Sequence, residues 1–144
     1  MLKGIDPLIS PDLLRVLAQM GHGDEIAICD ANFPATSVAA ATVHGQALRI
    51  DCDARRALQA VLSLIPIDDF LPDPVITMQV VGDPEAVPVA VGISTPLLAE
   101  HGATPKGIER FAFYERARAC FAVLSTREER PYGNFIIRKG VILP

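Results

Sequence analysis

A chain of 144 residues, half of them hydrophobic and 21% charged, is the size of one ordinary domain (1–144), with no room for a separate regulatory module. The formal net charge of −4 speaks against a nucleic-acid partner, because phosphate binding draws on a surplus of Lys and Arg on one face. The longest mainly apolar runs, Val38 to Val43 and Val75 to Val81, fall well short of the ~20 residues that span a bilayer, and the amino terminus lacks the apolar core of a signal peptide; the expectation is a cytoplasmic protein with no membrane partner.

In chain order, Ser10 and Pro11 begin the first predicted helix. Ser10 is placed to cap it, Pro11 suits its first position, apolar residues follow at helical spacing to Met20, and Gly21 stops it. Ile26 to Cys29 is a short apolar run that reads as a buried strand, with Asp30 at its C-terminal end. Asn32 to Ser37 reads as loop because Pro34 disfavours helix before it. Leu48 to Ile50 is a candidate strand. Asp53 to Ile65 is a candidate helix with Ala54, Ala57, Leu58, Val61, Leu62 and Ile65 on one face. Pro66 to Pro74 contains three prolines and three aspartates and is a connection.

Val75 to Val81 is rich in β-branched residues and is the clearest strand. From Gly82 to Gly107, prolines at 84, 88, 96 and 105 break the pattern and no element is assigned. Glu109 to Arg118 is helical in character, and Phe121 to Leu124 and Asn134 to Lys139 are strand-like. Strands interleaved with helices predict an α/β domain with a sheet between helical layers. The apolar composition further predicts that part of the surface is covered by other copies of the chain.

Four clusters can carry chemistry. In Gly21-His22-Gly23-Asp24-Glu25 the imidazole has no bulky neighbours and is suited to moving protons near neutrality, although an ordinary surface turn would look the same. In Asp30-Ala31-Asn32-Phe33 the carboxylate can accept two hydroxyl hydrogen bonds, or can close an Asx-turn. Arg110, Tyr114 and Arg116 can donate to oxygen atoms, as can the exposed face of any ion-paired helix. Tyr132 and Asn134 flank Gly133, and in a strand this spacing would place both on one face; a turn with a packed ring is the alternative.

Other chemistries lack their signatures. His44 and His101 have no His or Cys at metal-ligand spacing, and the three cysteines are odd in number with no Cys-x-x-Cys pair, so free thiols are expected. There is no phosphate loop, dinucleotide fingerprint or Gly-x-Ser-x-Gly elbow. The expectation is chemistry on side chains alone, with no cofactor and no metal.

Taken together and in order, these segments resemble the fucose mutarotase and ribose pyranase family. The likeness runs through Leu2-Lys3-Gly4-Ile5, Pro7-Leu8-Ile9-Ser10-Pro11, Gly21 to Ile26, and Asp30-Ala31 with Phe33-Pro34-Ala35. It continues through Arg110 to Ala117 and Tyr132-Gly133-Asn134 with Ile136-Ile137 and Lys139-Gly140-Val141, where it is nearer the fucose branch. The resemblance implies a three-layer α/β/α fold with a mixed central sheet, and a ring-shaped homo-oligomer, typically a decamer, with sites at subunit contacts. It also implies interconversion of the anomers of a free monosaccharide, L-fucose first, without cofactor or metal. Carried over by position, His22 is the proton donor, and Asp30, Arg110, Tyr132, Gly133 and Asn134 bind the sugar. Asn32 departs from the His often found there in the fucose branch, and residues 82–106 match poorly; both bear on which sugar is taken. Ribose-pyranase-type activity on another sugar and a non-catalytic sugar-binding or regulatory subunit are the alternatives at this point.

Overall fold

A computed structural model describes residues 1–144. Its six strands form one mixed sheet ordered β2-β5-β1-β6-β3-β4. β1 (Glu25–Cys29) is central, paired in parallel with β5 (Ala122–Ser125) and antiparallel with β6 (Phe135–Arg138). β5 pairs in parallel with the short β2 (Leu48–Arg49), and β6 pairs antiparallel with β3 (Val75–Met78), which is parallel to β4 (Lys106–Ile108). β6 alone therefore runs against the other five.

Alternation along each strand sorts the core into two slabs. Ile26 and Ile28 of β1, Leu124 of β5 and Phe135 and Ile137 of β6 pack under α1 (Pro11–Gln19), α3 (Ala54–Leu62) and α4 (Val89–Glu100). Ala27 and Cys29, Ile76 and Met78, Val123 and Ile136 face the opposite way, under α2 (Ala35–Ala39) and α5 (Arg110–Arg118). A sheet covered on both faces explains why the strands read as continuous apolar runs, and the α/β/α layering agrees with the expectation. Cys29 and Cys120 are buried free thiols and Cys52 is half-buried.

The capped helices form where the sequence places them. Ser10 Oγ accepts from Leu13 N–H at 3.1 Å and Asp53 Oδ1 from Arg56 N–H at 2.8 Å, each satisfying one unpaired amide of a first turn.

Three expectations need correction. Residues 35–37, read as loop, belong to α2, a short helix entered from Pro34 without a side-chain cap. β3 stops at Met78 rather than Val81, because the chain turns at Val80–Asp83 with Gly82 at φ 80°. The unassigned stretch holds α4 and β4. Pro96 lies inside α4, and Ser94 Oγ and Thr95 Oγ1 donate to the carbonyls of Ala90 and Val91 at 2.7 and 2.8 Å. Burial of Ala90, Val91, Leu97 and Leu98 outweighs the ~3 kcal/mol that a helical proline costs.

Topology sets the chemistry. The C-terminal ends of β1, β3 and β4 and the start of β6 lie along one edge of the sheet, so Asp30, Met78, Arg110 and Asn134 are brought together there. The start of β1, the start of β3 and the end of β6 lie along the other, bringing His22, Asp68 and Arg138 together.

Candidate functional site

Asp30 is 3% exposed and ties the two halves of the chain together. Its backbone N–H donates to Asn134 Oδ1 at 2.9 Å, while its own carboxylate accepts from the N–H groups of Asn32 at 3.0 Å and Gly133 at 3.2 Å. Burial pushes this carboxyl above its ordinary range, against those hydrogen bonds, which work to lower it.

The segment 128–134 that closes over Asp30 is braced from behind. The Glu128 carboxylate, 2% exposed, accepts from the Arg130 side chain at 2.7 and 2.8 Å, from Arg130 N–H at 3.0 Å and from Ala54 N–H at 3.3 Å. The Glu128 carbonyl accepts from Ala31 N–H at 2.8 Å. Tyr132 adopts φ 61°, a conformation costing ~1–3 kcal/mol that persists where the surroundings enforce it. Here its hydroxyl accepts from Val81 N–H at 3.3 Å. Gly133 has no room for a side chain, since a Cβ would sit 2.7 Å from Glu128 Cγ and 3.2 Å from Ala90 Cβ.

The result is a pocket of about 200 Å³ lined by Asp30, Asn32, Phe33, Met78, Arg110, Tyr114, Pro131, Tyr132 and Asn134. It is smaller than the roughly 300–1,000 Å³ typical of drug-sized ligands and suits a monosaccharide. The Arg110 guanidinium lies over the rings of Phe111 and Tyr114, 5.2 and 5.6 Å from their centroids. A carboxylate acceptor, a guanidinium donor, a phenol and apolar ring faces together match a ligand with hydroxyls on one side and C–H groups on the other.

The turn that carries His22 is built at the other edge. Gly23 is at φ 86° and donates to the Lys139 carbonyl at 2.9 Å, while Lys139 Nζ donates to the carbonyls of Leu17 and Met20 at 3.0 and 2.6 Å, docking the end of α1. The His22 side chain is 42% exposed, its ring edge-on to Phe70 at 4.6 Å and its Nε2 3.0 Å from Asp68 Oδ1. Burial works to raise the Asp68 carboxyl, but hydrogen bonds from His22 and Arg138 overcome it and hold the group at about 2. The carboxylate is therefore ionised at neutral pH and can only accept, so Nε2 carries the proton of this bond.

Of the predicted site residues, Asp30, Arg110, Tyr132 and Asn134 share one pocket and Gly133 lies directly behind it. His22 is not among them within one chain, since the full length of β1, about 13 Å of strand, separates its turn from Asp30. Tyr132 and Asn134 meet through a tight turn before β6 rather than by strand alternation. Arg116 points away and pairs with Glu25 at 2.7 Å. Sequence reasoning missed Met78 as a pocket wall and Asp68 as the partner of His22. Asp68 gave no signal, because it was one of three aspartates in a proline-rich connection. No three His, Cys, Asp or Glu side chains are grouped to hold a metal ion.

A family model described as the RbsD / FucU transport protein family matches residues 3–142. The L-fucose mutarotase of Actinobacillus pleuropneumoniae serotype 5b is 43% identical over 145 residues, covering 98% of this chain and 97% of the relative. The human fucose mutarotase is 41% identical over 154 residues, covering 98% and 94%. Among solved structures, the fucose mutarotase in complex with L-fucose from Streptococcus pneumoniae superposes with a TM-score of 0.85 at 36% identity, covering 99% of this chain and 100% of that one. A pocket built from both ends of the chain, in a fold and sequence that match these proteins from end to end, places this chain in the RbsD / FucU family.

Proposed function

We propose that this chain is a mutarotase that interconverts the α and β anomers of free L-fucose. The observation that carries the reading is the monosaccharide-sized pocket in which Asp30, Arg110, Tyr132 and Asn134 converge, in a chain 43% identical throughout to an L-fucose mutarotase. L-Fucose bears a methyl group where most hexoses bear a hydroxymethyl, and Phe33, Met78 and Tyr114 offer apolar surface for it beside the polar anchors.

Mutarotation asks little of a protein. The anomeric hydroxyl loses a proton, the ring oxygen gains one, and the bond between C1 and the ring oxygen breaks to leave an open aldehyde. Rotation about C1–C2 and the reverse steps give the other anomer. One group that gives and takes a proton contributes typically ~10²–10⁴-fold, and anchors that hold the open chain in reach contribute by orientation. His22 serves as the proton donor, Asp30, Arg110, Tyr132 and Asn134 grip the hydroxyls, and Gly133 lets the backbone approach.

Because β1 separates His22 from the pocket, the working site lies at a contact between copies, the turn of one chain capping the pocket of the next. Exposed apolar residues, among them Phe70, Leu71, Val81 and Phe111, support a homo-oligomer, and we take its form to be a decameric ring of single-domain subunits in the cytoplasm. No helix is long and apolar enough to cross a membrane.

Exchange NMR on equilibrated L-fucose, D-ribose and D-galactose tests the reading. Accelerated anomer exchange, greatest for L-fucose and reduced ~10²–10⁴-fold in His22→Ala, is expected. Saturable binding of the sugars with exchange no faster than in buffer would overturn it in favour of a binding subunit.

A further inference from the structure

Asp68 is a carboxylate in the connection between α3 and β3, with only 1% of its side chain exposed. Its two oxygens have separate duties. Oδ2 takes the Arg138 Nε at 2.8 Å, and Oδ1 takes the Phe70 N–H at 3.2 Å and the His22 Nε2 at 3.0 Å. Arg138 in turn donates to the carbonyls of Leu71 and Pro72 at 2.8 and 2.9 Å, so it anchors the connection as well as the carboxylate. The Phe70 ring, edge-on to the imidazole, closes one side. The other charged groups around the turn are occupied with backbone: Asp24 accepts from Gly21 N–H at 2.7 Å, and Lys139 donates to Leu17 and Met20. Asp68 is the only charged side chain bonded to the imidazole.

We propose that Asp68 is the positioning residue of the proton shuttle: it holds His22 as the Nε2–H tautomer and so makes Nδ1 the atom through which the sugar's proton passes. This rests on the mutarotase reading of His22. A buried carboxylate, held on its far side by Arg138, fixes both the ring plane and the tautomer, leaving the Nδ1 lone pair with no hydrogen-bond partner in the chain. Nδ1 takes the proton of the anomeric hydroxyl and donates it to the ring oxygen as the bond between C1 and that oxygen breaks, so His22 ends each cycle in its starting state.

The assembled protein labelled with ¹⁵N-histidine provides the test. It contains three histidines, and His22→Gln identifies the signals of interest. The neutral His22 ring should show a protonated Nε2 and an unprotonated Nδ1. In Asp68→Asn the two tautomers should mix, kcat for anomer exchange should fall at least about tenfold, part of the ~10²–10⁴ that acid–base catalysis supplies, and KM should hardly change. Unchanged sugar binding by Asp68→Asn would show that the pocket is intact. A wild-type ring protonated on Nδ1, or a variant with the same tautomer and the same kcat, would overturn the proposal. Undiminished exchange in His22→Gln would instead remove the reading beneath it, and the tautomer signals keep the two failures apart.

Discussion

The two edges of the sheet are built to opposite plans. At the Asp30 edge, residues from β1, β3, α5 and the turn before β6 enclose a pocket, and its most important polar groups, Asp30 and Asn134, are each 3% exposed. At the His22 edge the imidazole is 42% exposed and the buried member is its hydrogen-bond partner, Asp68. One edge has anchors but no group to carry a proton at neutral pH other than a buried carboxyl. The other offers the imidazole, which lines none of the main pockets of the chain. A topology with only β6 reversed separates the two by the length of a strand, so on the proposed reading each chain would hold two half-sites facing opposite ways. On that reading a closed assembly follows, since a second copy would bring an anchor to a shuttle.

Mixing variants gives the largest expected effect and the sharpest way to break this picture. His22→Ala and Asp30→Asn should each lower anomer exchange ~10²–10⁴-fold on its own. Co-expressed and assembled together, they should recover up to about a quarter of wild-type activity, since that fraction of contacts pairs two intact halves. Recovery is measured by exchange NMR on the co-purified assembly. No recovery would mean that both groups act within one chain.

A smaller effect separates the edges by their glycines. Gly133→Ala forces a methyl to within 2.7 Å of Glu128 Cγ, and Glu128 is held by Arg130 and the first turn of α3. Overpacking of this kind costs ~1–3 kcal/mol, and it should shift the Asp30–Asn134 bonds, lowering both the melting temperature and sugar affinity. Gly23→Ala meets nothing within 4 Å, so its cost is the positive φ alone, about 1 kcal/mol, and sugar affinity should be untouched. Thermal melts and binding titrations of the two variants check the contrast.

The same division governs what was legible in the sequence. Asp30 stood out because an apolar run ended in a carboxylate, and the Arg110 and Tyr132–Asn134 segments because charge and aromatic groups interrupted apolar patterns, but turns or an ion-paired helix fitted those patterns as well and only the family resemblance singled the residues out. The layered fold followed from strands interleaved with helices. α4 was not readable, since Pro96 forbids it locally and only burial against α3 and the bonds of Ser94 and Thr95 to the preceding turn allow it. Asp68 was hidden for a different reason: its meaning lies in Arg138, 70 residues away, and in His22, 46 residues away. The positive φ of Tyr132 was equally invisible, because the bonds that hold this turn, from Val81 N–H to the Tyr132 hydroxyl and from Gly133 N–H to Asp30, are encoded by no local pattern.

The two buried carboxylates should also respond to pH in opposite directions, which is the finest test of the contrast. Asp68 is held at about 2 from an ordinary 3.8, so its contribution, up to about 2 kcal/mol, is fully present above the unfolded value and lost as pH falls towards 2. Asp30 is raised by burial, so the fold prefers its protonated form, and stability is lost as pH climbs from the unfolded value, ~3.9, through the folded one. Asp30→Asn removes that charge while keeping the shape, so its melting temperature relative to wild type should rise as pH climbs through this window, even as exchange activity falls. Asp68→Asn should show the reverse, a deficit that is largest at neutrality and shrinks in acid. Parallel melting curves of the three proteins from pH 3 to 7 decide it: if Asp30→Asn loses stability with rising pH as Asp68→Asn does, Asp30 is a structural carboxylate like its counterpart, and the pocket loses its distinction as the strained, ligand-directed edge.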